Sequence, residues 1–143
     1  MVTVIIRSEK NFYSENRSNS DSRLITHGLQ FTYITPQFEF RPPLDVYEAP
    51  SEFLLLLELS GMNEEAIHIE VENQHLSISG KRTPPVNPPA TIHRMEIAFG
   101  EFNLSFEIPD LIDIHHIHAN YENGFLLIHL PKLTNTNIPI KEG

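Results

Sequence analysis

The sequence predicts an all-β chain: a β-sandwich with a flexible arm before it and a short tail after it. Three observations carry this. Apolar and polar residues alternate in short runs from residue 44 to residue 130. Turn-forming pairs separate the runs, at Ser60-Gly61, Asn73-Gln74, Pro109-Asp110 and Asn123-Gly124. The 143 residues are 40% hydrophobic, enough for one domain with a sizeable core plus extensions.

Residues 8–22, SEKNFYSENRSNSDS, hold five Ser and three Asn and read as a poorly ordered polar segment. Apolar residues flank it. Val2, Val4, Ile5 and Ile6 precede it; Leu29, Phe31, Tyr33, Ile34, Phe38 and Phe40 follow. They either pack on the domain or form a mobile arm with sticky side chains. Arg41-Pro42-Pro43 marks a boundary, so the arm is expected to be residues 1–41 and the sandwich residues 42–132.

Leu44-Asp45-Val46-Tyr47-Glu48 alternates after two prolines, as an edge strand does. Phe53 to Leu59 is a nearly continuous apolar run and predicts a strand buried on both faces. Ser60-Gly61 breaks it, and MNEEA suits one helical turn. Ile67, Ile69 and Val71 share one face of the next predicted strand. Leu76 to Gly80 alternates again after the tight Asn73-Gln74 connection, giving a hairpin. The loop KRTPPVNPPATI follows, stiffened by Pro84, Pro85, Pro88 and Pro89 and long for a hairpin connection. A short strand is expected over residues 91–96 at its far side. Phe102, Leu104, Phe106 and Ile108 share a face of the next strand. A short strand over residues 117–121 and another over residues 125–130 flank Asn123-Gly124, a hairpin turn whose residues tolerate positive φ.

The charge is uneven. Residues 1–40 hold four basic and four acidic residues, whereas residues 41–143 hold six and fifteen, which carries the whole net charge of −9. An acidic domain repels phosphate backbones, so no nucleic acid is expected as a partner. No apolar run approaches membrane-helix length, so no stable membrane insertion is expected either. The sequence has no Cys and no recognisable secretory signal, and a cytoplasmic location is expected.

Several stretches, in order, resemble one family. ANYENGFLLIHLPK, residues 119–132, resembles the signature of the small heat-shock proteins. It has Ala119, then Gly124, then Leu126, Ile128 and Leu130, and it ends in Pro131-Lys132. LDVYEAPSEFLLLLELSGM, LSISGKR, RMEIAFGEFNLSFEIP and the final Ile138-Pro139-Ile140 follow the family's order and spacing. The resemblance covers residues 42–143 and implies an immunoglobulin-like β-sandwich, the α-crystallin domain. It implies an ATP-independent holdase chaperone that binds partly unfolded client proteins and prevents their aggregation. The implied partners are those clients and the chain itself, as a homodimer and a larger homo-oligomer. No cofactor and no enzymatic activity are implied. In the branch with a long loop, Thr91, Ile92, His93, Arg94 and Met95 would cross to a second copy and pair with its Leu44, Asp45, Val46 and Tyr47. Ile97 and Leu104 stand where the family often has arginine, and Ser60 stands where it has proline.

The tail, residues 133–143, carries two isoleucines almost at the end of the sequence. Proline biases Ile138 to an extended conformation, so Ile138 and Ile140 point the same way. Pro139 lacks an N–H and suits a sheet edge. The resemblance places their socket between the strand of Ile67, Ile69 and Val71 and the strand of Ile117, Ala119 and Tyr121. Docking on a neighbouring subunit is the expectation; docking on the same chain and accident of composition are the alternatives. Client binding is expected to use the arm: Val4, Ile5, Ile6, Phe12 and Tyr13, then Leu29, Phe31, Tyr33 and Phe38. The vacated groove is the second candidate.

Rival functions have less support. His115, His116 and His118 form the densest of the histidine clusters, but a solvated strand edge accounts for them better than a metal site. No Gly-x-Ser-x-Gly elbow and no phosphate-cradling glycine loop occurs. The serious rival is a monomeric co-chaperone-like sandwich that binds one defined protein partner.

Overall fold

The structure, a computed structural model, describes residues 2–7, 40–86 and 88–134, and residues 21–26 and 29–34 as backbone. In chain order the strands are β1 (Val4–Arg7), β2 (Asp21–Thr26), β3 (Leu29–Ile34), β4 (Leu44–Glu48) and β5 (Glu52–Glu58). Then come β6 (Ile67–Glu72), β7 (His75–Arg82), β8 (Gly100–Glu107), β9 (His118–Glu122) and β10 (Phe125–Pro131). Two single-turn 3-10 helices, Glu64–Ala66 and Ile114–His116, sit in the connections before β6 and β9. The strands form a six-stranded sheet, β1-β6-β7-β8-β3-β2, and a four-stranded sheet, β4-β5-β10-β9. No helix among the described residues is long and apolar enough to cross a membrane.

Alternation builds the core. Each strand turns every second side chain inward, and the two inward faces meet. From the four-stranded sheet come Phe53, Leu55 and Leu57 of β5 and Leu126, Ile128 and Leu130 of β10, all with no exposed surface. From the six-stranded sheet come Ile67, Ile69 and Val71 of β6, Leu76 and Ile78 of β7, and Phe102, Leu104 and Phe106 of β8. Each such side chain contributes about 1.5–3 kcal/mol by leaving water. Phe40 also enters this core, its ring edge-on to Phe102 at 5.8 Å between centroids. Turn chemistry sets the registers. Asn123 and Gly124 take φ of 52° and 80°, which closes β9 onto β10 with Glu122 opposite Phe125.

Two expectations are corrected. The run Phe53 to Leu59 is not buried on both faces: Leu54 and Leu56 point outward and stay half-exposed. β5 lies between β4 and β10, and among the described residues no further layer covers its outer side. Residues 91–96 form no strand here; Thr91 to Met95 are exposed coil with no partner strand among the described residues. Residues 8–20, most of the segment expected to be poorly ordered, lie outside the described residues. β1 adds to β6 in parallel, and the β2–β3 hairpin extends the sheet beyond β8 through Tyr33 opposite Phe106 and Ile34 opposite Ser105. Backbone pairing with distant strands supplies what the local composition lacks.

Gly80 pairs with Ile67 on one side and Phe102 on the other. A Cβ there would stand 2.7 Å from the Ala66 carbonyl oxygen and 2.9 Å from the Phe102 ring. Gly80→Ala should therefore cost about 1–3 kcal/mol by overpacking. A denaturant midpoint equal to that of the unaltered chain would contradict the packing described.

Candidate functional site

The edges of the sandwich are the candidate site. On one side β1 is the outermost strand of the six-stranded sheet, paired to β6, and Val2 just before it bridges to Ala119 of β9, the outermost strand of the four-stranded sheet. The six residues expected to form the tail's socket lie in the common core or pack against it. Ile67, Ile69 and Val71 turn inward on β6. Ile117 and Ala119 are buried, and Tyr121 packs half-buried beside them. The Tyr121 hydroxyl donates to the Leu59 carbonyl at 2.8 Å, fastening β9 to the segment after β5.

This seam is not empty. Residues 2–7 lie along it. Val4, Ile5, Ile6 and Arg7 stand opposite Ile69, Glu70, Val71 and Glu72 in a parallel ladder, and Val2 bridges to Ala119 of β9. Val2 is buried, Val4 and Ile6 pack partly against the core, and Ile5 points outward, 49% exposed. Of the residues expected to present an apolar arm, Val4 and Ile6 are thus turned inward. Leu29, Phe31 and Tyr33 lie on β3. Phe12, Tyr13 and Phe38 lie outside the described residues, as do Ile138, Pro139 and Ile140.

The opposite edge is β4. Among the described residues its one strand neighbour is β5, with Leu44 opposite Leu57 and Val46 opposite Leu55. Leu44 and Val46 pack partly on the core. Asp45 and Tyr47 face out and share a 3.3 Å hydrogen bond from the Tyr47 hydroxyl. The long loop carries Thr91, Ile92, His93, Arg94 and Met95 exposed to solvent. Ile92, Met95 and Ile97 are 67–68% exposed, a dense set of large apolar side chains for one loop.

One residue that sequence reasoning missed governs how this loop leaves the domain. Arg82, the last residue of β7, is buried. Its Nε donates to the Ala98 carbonyl at 2.9 Å, and Nη2 donates to the same oxygen. Nη1 donates to the Ser60 carbonyl at 3.3 Å, and the guanidinium lies 3.8 Å above the Phe40 ring. Arg82 therefore joins both ends of the loop to the core, with cation–π and charge-assisted contacts shielded from water. A basic residue following a small-polar strand was the signal available. The positions often occupied by arginine in the resembling family differ from one another here. Leu104 lies in the core opposite Ile78, and Ile97 stands in solvent.

The signature residues are structural. Leu126, Ile128 and Leu130 fill the core, Ala119 pairs with Ile128, and Pro131 ends β10. A Cβ on Gly124 would come within 3.0 Å of Ser60 Cα, so this turn needs glycine for space as well as for φ. The histidines form contacts of another kind. His116 Nδ1 lies 2.7 Å from Asp113 Oδ2, and His129 Nδ1 lies 2.9 Å from Glu52 Oε2. His118 stacks on His129 at 4.4 Å. Among the described residues no three His, Asp or Glu side chains converge as metal ligands.

Comparison with known proteins agrees with this geometry. The profile of the Hsp20/alpha crystallin family matches residues 45–142. Small heat shock protein C4 of Rickettsia felis is 32% identical over 92 residues, covering 64% of this chain and 56% of the relative. Heat shock protein 16 of Schizosaccharomyces pombe is 32% identical over 110 residues, covering 72% of this chain and 77% of the relative. The match spans less than two thirds of the length of several curated relatives, 56% and 60% in two of them. Among solved structures, a small heat-shock protein from Xylella fastidiosa superposes with a TM-score of 0.65 at 30% identity, covering 73% of this chain and 98% of that one.

Arg82→Ala would remove the charged donor from the Ala98 and Ser60 carbonyls, at a cost of about 1.5–3 kcal/mol. Amide exchange over residues 98–102 should accelerate in this variant. Unchanged stability together with unchanged exchange would show that Arg82 does not hold the loop.

Proposed function

The chain belongs to the Hsp20/alpha crystallin family, and from that premise we propose that it is an ATP-independent holdase chaperone working in the cytoplasm. It binds partly unfolded proteins and keeps them from aggregating, as an oligomer assembled from strand-swapped dimers. It is not an enzyme and uses no cofactor. The carrying observation is the pairing of an open edge with an unstructured apolar loop. Among the described residues β4 pairs on one side only, and Ile92, Met95 and Ile97 stand in water. Both features are costly in an isolated chain. A second copy resolves both: its Thr91–Met95 segment becomes a strand along Leu44–Tyr47.

The tail supplies the next level of assembly. Ile138 and Ile140 dock in the seam between β6 and β9 of a neighbouring subunit. Burying each is worth about 1.5–3 kcal/mol, and ordering the tail takes much of that back. A single contact is weak, and repetition around an oligomer makes the set strong. Clients meet the arm, first through Phe12, Tyr13, Leu29, Phe31, Tyr33 and Phe38. An adaptable apolar arm suits partners of many sequences. One observation favours the rival reading of a monomeric module for a single partner: residues 2–7 close the β6–β9 seam within one chain.

Light scattering of a heat-labile enzyme, warmed in ATP-free buffer, separates the two readings. The holdase suppresses aggregation at near-stoichiometric subunit ratios; absence of suppression across several unrelated clients supports the single-partner module. The tail has its own test. Ile138→Ala with Ile140→Ala should reduce large oligomers towards dimers in sedimentation velocity, and an unchanged size distribution would exclude the tail contact.

A further inference from the structure

The spacing of residues 2–7 bears on how the groove is used. Val2, Val4 and Ile6 lie two residues apart in an extended segment and turn one apolar face into the seam. Ile138 and Ile140 have the same two-residue spacing. The segment also spans the seam, with its ladder on β6 and its bridge on β9. We propose that residues 2–7 are a displaceable strap occupying the tail's groove, so that a neighbour's Ile138-Pro139-Ile140 docks only when β1 leaves. This rests on the tail-docking reading given above.

The contacts of the strap suit displacement. β1 is an outermost strand of four residues. Its polar anchor is Arg7 Nε at 2.6 Å from Glu70 Oε1, and both side chains are substantially solvent-exposed, so the ion pair holds weakly. The closing hydrogen bond, from the Asn73 N–H to the Arg7 carbonyl, is long at 3.4 Å. Ile5 adds nothing to the seam because it faces water. What the strap has is covalent attachment, which gives it a high effective concentration at the groove. A tail from another subunit meets a groove that is free only part of the time, and its apparent affinity falls by that fraction. Displacement also uncovers Val4 and Ile6. Occupation of the groove by a tail and exposure of this part of the arm are therefore two sides of one equilibrium.

The test uses a fluorescent peptide, LTNTNIPIKEG (residues 133–143), titrated by anisotropy into the 143-residue chain. Val4→Asp with Ile6→Asp removes the competitor, and the peptide should bind about tenfold tighter or better than to the unaltered chain. Equal measurable affinity for both chains overturns the strap and leaves tail docking standing. Binding to neither chain removes the tail-docking reading and the strap with it. A second variant tests the strap in the opposite direction. The chain has no cysteine, so Val2→Cys with Ala119→Cys introduces a single possible disulfide between bridge partners. Oxidation should abolish peptide binding and reduction should restore it; undiminished binding in the oxidised form overturns the proposal.

Discussion

A β-sheet ends in a row of backbone groups that something must cover, and the whole organisation of this chain follows from how its edges are met. The interior is closed by simple alternation, with β5 and β10 facing β6, β7 and β8. The margins are where the solutions differ. β1 lies along β6, the β2–β3 hairpin lies along β8, and among the described residues β4 has only β5. β9 is met at one point, where Val2 reaches Ala119. Each margin is covered by a segment that is short, by a segment from the arm, or by nothing among the described residues. A sandwich with such margins is stable as a core and adhesive at its rim.

Arg82 connects the rim to the core. It holds Ala98 and Ser60 while lying over Phe40, so the strand before the long loop, the residue that re-enters β8 and the start of the domain share one buried cation. The loop between can then be long and exposed without loosening the sheets. This explains how Ile92, Met95 and Ile97 can stand in solvent on an otherwise well-packed domain. The net charge of −9 keeps such a surface soluble while leaving the apolar segments available.

Much of the core was legible before the fold was known. The alternation over Ile67 to Glu72 and Phe102 to Ile108 placed the inward faces correctly, because a half-buried strand writes its burial directly into every second residue. Asn123-Gly124 announced its hairpin because few other residues accept that backbone. The run at Phe53 was read too generously: five consecutive apolar residues say that both faces are apolar, and only one face meets this chain's own core. β1, β2 and β3 were not read as strands because their pairing is with residues far along the chain, and local composition carries no trace of it. The inward faces of Ile67, Ile69 and Val71 were legible, and the segment that pairs with their strand was not. Val2, Val4 and Ile6 were expected either to pack on the domain or to form an apolar arm, and only the parallel register on β6 shows where they point.

The central claim is that one copy of this chain leaves edges that other copies complete. Native mass spectrometry of the unaltered chain at micromolar concentration tests it most directly. The account predicts dimers and higher multiples of the 16.4 kDa subunit, with little free monomer. A population that is monomeric at every concentration would contradict it.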